Sequence, residues 1–342
     1  MEVLWKPGIS DLLGRNGEQT VLHERAAAAA REQFGRDVFV RAVVELSNHC
    51  RENCHYCGMR RSNRSLDRYR AQLDALAEIL LNHLPASVTD VNLQAGEDPI
   101  AVRTLAIPLV RLLREKTDLG ISVCLGTLDH SLYRELNEAG ASIYILKFET
   151  GNPNSYSQFE APGNFHERIE NIEWLAANGW KVSSGFICGL PGQSPADWLN
   201  ALRLADRLPL SGCSVSPFVP GEATPLHEHP GADIDSTLNC MAAMRLMRPE
   251  WVIPAVSALN ICQPGQGYRR GLAAGANLVT INLTPAELRE NYLLYKRDRF
   301  IMDEEKILGA IEAQGLRPSR IGLADFYRNR PSRVDRVAAV TA

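Results

Sequence analysis

Short apolar or β-branched runs alternate along this chain with longer stretches whose apolar residues recur every three or four positions. That is the rhythm of parallel strands separated by crossover helices. Eight strand-like runs stand out: Val40 to Asn48, Val88 to Gly96, Gly120 to Thr127, Ser142 to Thr150, Lys181 to Leu190, Gly212 to Pro220, Trp251 to Ala258 and Asn277 to Pro285. Two intervening segments carry explicit helix-boundary chemistry. In the first, Phe165, Ile169, Ile172, Leu175 and Ala176 keep helical spacing until Asn178-Gly179, a usual C-terminal stop. In the second, Ser194-Pro195-Ala196-Asp197 supplies an N-cap, a proline at the first helical position and an acid at the third. Eight βα units predict a TIM-type (β/α)8 barrel, an α/β fold whose working residues sit at the C-terminal ends of the strands. Residues 1–39 read as an N-terminal helical extension, with the alanine run 26–30 inside one helix. Residues 40–328 read as the barrel domain, and 329–342 as a disordered tail.

Composition narrows this only a little. With 342 residues and 45% hydrophobic content the chain can bury a sizeable core. A formal charge of −3, with both signs mixed throughout, lacks the footprint of a nucleic-acid or membrane-surface binder, so the expected substrate is small. No stretch reaches the roughly 18 apolar residues of a membrane span, and the first residues lack a signal-peptide pattern; a cytoplasmic location is expected.

The cysteines are more informative. Eight are present, at 50, 54, 57, 124, 188, 213, 240 and 262, too scattered for a disulfide scaffold. Three of them cluster. Cys50, Cys54 and Cys57 form C-x-x-x-C-x-x-C directly after the first predicted strand, where a barrel enzyme keeps its chemistry. Three thiolates can hold three irons of a 4Fe-4S cubane and leave the fourth open to another ligand. A zinc site is the alternative, with His49 or His55 as fourth ligand, although zinc favours paired spacings.

This spacing, with Tyr56 before the last cysteine, resembles the radical S-adenosylmethionine (SAM) superfamily. Further segments narrow the resemblance to the branch containing biotin synthase, methylornithine synthase and the iron-only hydrogenase maturase HydE, with HydE the best match. They are CRENCHYCGMRRSNRSLDRYR (50–70), LQAGEDP (93–99), FETGNP (148–153), GLPGQ (189–193), FVPGEATPL (218–226) and the stretch 274–295. The resemblance implies one 4Fe-4S cluster, SAM, and an electron donor such as flavodoxin or ferredoxin. It also implies a 5′-deoxyadenosyl radical acting on a small-molecule or organometallic substrate. By the same resemblance, Gly96, Glu97 and Asp98 take the methionyl amino group of SAM, Arg168 its carboxylate and Glu149 its ribose hydroxyls, a diol suiting a carboxylate acceptor. Ile187, on Gly185 to Gly189, covers adenine, and Tyr56 adds a contact on that side.

Within the branch, biotin synthase carries a second cluster on strand cysteines that correspond here to Ser122 and Ser183. Cys124 and Cys188 lie two and five residues out of that register. An odd offset reverses the face of a strand, so Cys188 is expected to point away from the barrel. The positions matching the charged substrate residues of methylornithine synthase hold Ser214 and Ala258, which removes the groups that would clamp an α-amino acid. A HydE-like pocket lined by Ser214 and Ser257, with Cys262 near its mouth, remains the expectation. No cysteine follows Cys262, so an accessory C-terminal cluster is not expected. A methylornithine-synthase-like mutase and a non-catalytic iron-sulfur scaffold are the alternatives; the scaffold would need neither Glu97 nor Arg168.

Overall fold

The computed structural model describes residues 17, 19–297 and 300–329. The predicted tail lies outside them except for Asn329. The first described helix, α1 (Thr20–Phe34), contains the alanine run and ends at Gly35, whose φ of 63° lets the chain turn directly into a strand. The barrel follows as β1 (Asp37–Ser47), β2 (Asp90–Ala95), β3 (Gly120–Cys124), β4 (Ile143–Ile145), β5 (Lys181–Cys188), β6 (Gly212–Pro217) and β7 (Leu278–Asn282). All neighbours are parallel, in the order β6-β5-β4-β3-β2-β1-β7, and a two-residue β8 (Arg317–Pro318) pairs with the start of β1. The crossovers include α2 (Leu73–Asn82), α3 (Ile107–Lys116), α4 (His130–Ala139), α5 (Phe165–Ala177), α6 (Pro195–Arg207) and α7 (Ile234–Met247). Both helices with legible boundaries form as expected. Asn164 caps α5, and at α6 Asp197 accepts from the N–H and hydroxyl of Ser194.

One predicted strand does not form as a continuous element. The run Trp251 to Ala258 is reduced to two single-residue bridges, Val252 to Gly212 on β6 and Pro254 to Leu278 on β7. Pro254 has no N–H to donate, which limits the run to a minimal link. The link still joins the two edges: Val252 N–H donates to Ser211 O, and Ala255 N–H to Leu278 O. The barrel therefore closes through a weak seam. Arg245 of α7 is placed behind it, fully buried. Its guanidinium donates to the carbonyls of Gly275, Pro249 and Trp251 and to Asn277 Oδ1, at 2.7–2.8 Å.

Side-chain alternation sorts the core from the lumen. On β1, Val38, Val40, Ala42, Val44 and Leu46 face outward into the apolar layer beneath the helices, while Arg41, Val43 and Glu45 face inward. Most inward positions on the other strands are polar too: Asn92, Gln94, Cys124, Ser183, Ser214, Ser216, Thr280 and Asn282. A barrel of this kind usually fills its centre with branched apolar side chains. Here the centre is a cavity of about 340 Å³. The far end is covered by α9 (Leu323–Arg328), which follows α8 (Glu304–Glu312); Asp90 on β2 holds it by accepting from Leu323 N–H at 2.8 Å. Among the described residues, no helix is long and apolar enough to cross a membrane.

Replacing Arg245 by Met would strip the carbonyls of Gly275, Pro249 and Trp251 of this donor behind the seam, while Asn277 Oδ1 would keep the Ile253 N–H. We expect a loss of about 3 kcal/mol in urea unfolding; a variant as stable as the parent would show that the seam does not need this anchor.

Candidate functional site

The loop after β1 is held by its own arginines and asparagines. Arg68 donates to the carbonyls of Asn48, Met59, Arg60 and Asn63, and Asn48 donates to Asp67 O and Asn291 O. Cys50, Cys54 and Cys57 all line the cavity at the C-terminal end of the strands. The loop is joined to the end of β2 at two points: Arg51 N–H donates to Glu97 O at 3.1 Å, and Glu97 N–H points to Cys50 Sγ at 3.4 Å. Gly96 allows this approach, since a Cβ there would stand 2.3 Å from His49 O and 2.9 Å from Cys50 Cβ.

Burial pushes all three thiols up, Cys57 to about 12. They stay protonated at neutral pH unless metal cations displace the protons. Among the described residues no three His, Cys, Asp or Glu side chains converge as ligands of a single ion. A tetrahedral zinc site asks for that convergence, whereas a cubane asks for thiolates on separate irons. The donor set, the Glu97 N–H facing sulfur and the cradle over Gly96 fit a three-cysteine cluster.

Beside the thiols lies a buried ion pair that the sequence did not announce. Glu97 and Arg168, 6% and 3% exposed, meet at 3.3 Å. Glu97 Oε1 also accepts the Thr127 N–H at 3.0 Å, and its other oxygen faces Arg51 Nε at 3.3 Å. Arg168, on α5, donates to Thr127 Oγ1 at 2.8 Å and to Tyr156 OH at 3.3 Å. Burial works against both charges. For Arg168 the fields of Glu97 and Tyr156 prevail and hold it well above its ordinary value. For Glu97 burial prevails over Arg168 and Thr127, and its carboxyl titrates above the usual range. Gly126, with φ 75°, is required beneath this pair because a Cβ would fall 2.0 Å from Glu97 Cγ.

Glu149 lies past the end of β4, where the chain pairs again with β5. Its N–H donates to Gly185 O at 3.0 Å, and Ile187 N–H donates to its carbonyl at 2.8 Å. Its φ is 62°, left-handed and rare for a residue with a side chain. Ile187 packs with Phe159, Leu190, Phe218 and Leu226 against Tyr56. The Tyr56 hydroxyl lines the cavity and has no oxygen or nitrogen partner. Behind this apolar corner Gln193 Oε1 accepts from Gly189 N–H and Leu190 N–H, fixing the Gly-Leu-Pro-Gly turn.

Two sequence-predicted residues stand elsewhere. Asp98 does not line the cavity. Arg70 grips it at 2.7 and 3.0 Å, Ser47 donates to it at 2.7 Å, and these outweigh burial to hold its carboxyl below the usual range. It is an anchor between the cysteine loop and the helix that starts at Pro99. Cys262 is half-buried against the core, and its neighbours Asn260 and Ile261 face the cavity instead. Ser214 and Ser257 do line the cavity, with Ser214 Oγ donating to Ser184 O. Cys124 faces the lumen, whereas Cys188 is turned outward onto Cys240 of α7, as strand parity requires. Sequence reading missed Lys147, an inward residue two before Glu149. Burial opposes its charge, but Glu149 and Tyr295 hold its pKa above the ordinary lysine value.

Comparison with known proteins agrees with this arrangement. The model of the radical SAM superfamily matches residues 44–205. The [FeFe] hydrogenase maturase subunit HydE of Thermotoga maritima is 30% identical over 309 residues, covering 89% of this chain and 88% of that protein. The chain belongs to the radical SAM superfamily. This radical SAM enzyme is also 28% identical to the 3-methylornithine synthase of Methanosarcina barkeri, over 89% of the chain and 87% of that protein. Its backbone superposes on the crystal structure of methylornithine synthase (PylB) with a TM-score of 0.81 at 25% identity, covering 94% and 95% of the two chains. Membership in this superfamily implies a 4Fe-4S cluster and SAM.

Gly96→Ala tests the cradle. The clash with the His49 carbonyl displaces the cysteine loop, so we expect a folded protein by circular dichroism whose iron content after anaerobic reconstitution falls at least severalfold. Full iron loading in the variant would refute the need for close approach.

Proposed function

We propose that this chain is a HydE-like radical SAM enzyme with a single 4Fe-4S cluster on Cys50, Cys54 and Cys57, acting on a small-molecule or organometallic substrate in the barrel lumen. The observation that carries this reading is the Glu97–Arg168 pair beside Cys50. The methionyl end of SAM is a zwitterion, with ammonium and carboxylate on one carbon. A buried acid and a buried guanidinium side by side offer a complement to each of these charges.

In this reading Arg168, held rigid by Thr127 and Tyr156, orients the carboxylate of SAM, and Glu97 takes the amino group. Glu149 faces the ribose diol, and the corner of Ile187 and Tyr56 covers adenine and excludes water. Bound there and reduced by a one-electron donor such as flavodoxin or ferredoxin, the cluster with SAM supplies a 5′-deoxyadenosyl radical. The protein contributes position, dryness and a lumen that receives the substrate. A single cluster is supported by Ser122 and Ser183, the serines that stand where the resemblance to biotin synthase would place the cysteines of a second cluster. The mutase reading is not favoured, because Ser214 and Ala258 provide no charge to hold an α-amino acid.

Anaerobic reconstitution followed by reduction with dithionite in the presence of SAM tests the reading. Iron near four per chain and release of 5′-deoxyadenosine are expected, both abolished by Cys54→Ala; one zinc per chain with intact SAM would defeat it. Arg168→Met should weaken SAM binding about 100-fold while leaving iron content unchanged, since it strips one partner from a buried charge contact. Equal SAM affinity in that variant would remove Arg168 from the site.

A further inference from the structure

The cysteine loop is walled in on three sides. His55 N–H donates to Phe159 O at 2.9 Å, and Gly58 N–H to Leu294 O at 3.4 Å. On the third side Gly221 lies so close that a Cβ there would stand 3.1 Å from Tyr56 O. The remaining side is formed by the arm that follows Cys57 and by the end of β2. That arm is tied directly to the thiol loop: Arg60 N–H donates to Cys57 O at 3.1 Å, Arg61 N–H to Glu52 O at 2.7 Å, and Arg61 Nη1 to Arg51 O at 3.3 Å. A molecule resting on Arg61 is therefore one hydrogen bond away from the residue after Cys50.

This side is cationic, against the sign of the whole chain. Residues 51–70 hold six arginines and two acids, whereas the formal charge of the protein is −3. Burial sharpens the contrast. The side chains of Arg51 and Arg70 are 50% and 33% exposed, while the acids they meet, Glu97 and Asp98, are 6% and 3% exposed. The guanidiniums thus lean outward over inward carboxylates. Arg61 and Arg64 are exposed, and among the described residues neither meets a carboxylate. Beside them, Asp98, which Arg70 grips, also accepts the N–H of Ile100, a side chain that is 55% exposed. An apolar contact point edged by arginines has the make-up of a protein-docking surface, and its charge selects an acidic partner.

We propose that the open side of the cysteine loop, centred on Arg61 and Arg64 with Ile100 at its edge, docks an acidic one-electron carrier protein. In the docked pair one electron leaves the reduced carrier and enters the cluster on Cys50, Cys54 and Cys57. The carrier is oxidised by one electron, the cluster is reduced by one, and no atom is transferred. The proposal rests on the radical SAM reading and assigns the face by which its reductant arrives.

Stopped-flow reduction of the anaerobically reconstituted protein by fully reduced flavodoxin, an acidic carrier, is the test, followed by loss of the visible cluster absorbance. The second-order rate constant should fall about tenfold as salt rises from about 20 to about 300 mM. Arg61→Glu combined with Arg64→Glu should lower it at least tenfold at low salt and Ile100→Ser about threefold, with iron content and reduction by dithionite unchanged. Lys116→Glu combined with Arg207→Glu makes the same charge change at the ends of α3 and α6, across the barrel from the loop, and should leave the rate within twofold. A salt-independent rate, an undiminished rate in the Arg61 and Arg64 variant, or equal slowing by the control pair overturns the proposal. If the double variant does not hold iron, Arg64→Gln and the salt dependence decide. Charge-selective reduction without 5′-deoxyadenosine would count against the radical reaction and leave the docking surface standing.

Discussion

The contact between Glu97 and Arg168 is the interaction on which the rest of the site depends. It ties the end of β2 to α5 across two intervening strands, and the same residue that offers its carboxylate to Arg168 turns its backbone N–H to Cys50. Any shift of β2 relative to α5 would therefore move the cysteine loop and the charge pair together. An exposed pair of this type would contribute little. Buried, it is worth having only if its remaining polar atoms are satisfied, and Thr127 serves both partners, with N–H to the acid and hydroxyl from the guanidinium.

The barrel around it is built for the same purpose at larger scale. Outward positions on the strands are apolar and close-packed, so the fold is held from outside, by the layer under the helices. The inward positions are then free to be polar and to leave space. That division explains why a weak seam at Val252 and Pro254 is tolerated: closure there is secured from behind by Arg245 instead of by a full ladder of hydrogen bonds.

Much of this was legible in the sequence because it is local. The strand rhythm and the Ser194–Asp197 cap each involve neighbours in the chain, and seven of the eight strand runs and the cap form as expected. The run at 251–258 misled because its apolar residues look like a strand while Pro254 removes the donor a strand needs. Asp98 looked like a ligand residue because it follows Glu97, but adjacent residues at a strand end face different ways, and Arg70 claims it. The Glu97–Arg168 contact and the inward turn of Lys147 were not legible. They depend on which distant elements the barrel brings together, and no pattern of residue types encodes that.

The backbone at Glu149 has a consequence beyond the site. Holding a carboxylate-bearing residue in the left-handed region costs roughly 1 kcal/mol that glycine would not incur. The hydrogen bonds to Gly185 and Ile187 on either side force that conformation, so the chain has no relaxed alternative while β5 stays in place. The residue is thereby a mechanical coupling: β4 cannot relax this turn without releasing the very segment of β5 that carries Ile187. Whatever occupies the corner between them is gripped by two strands that can only yield together.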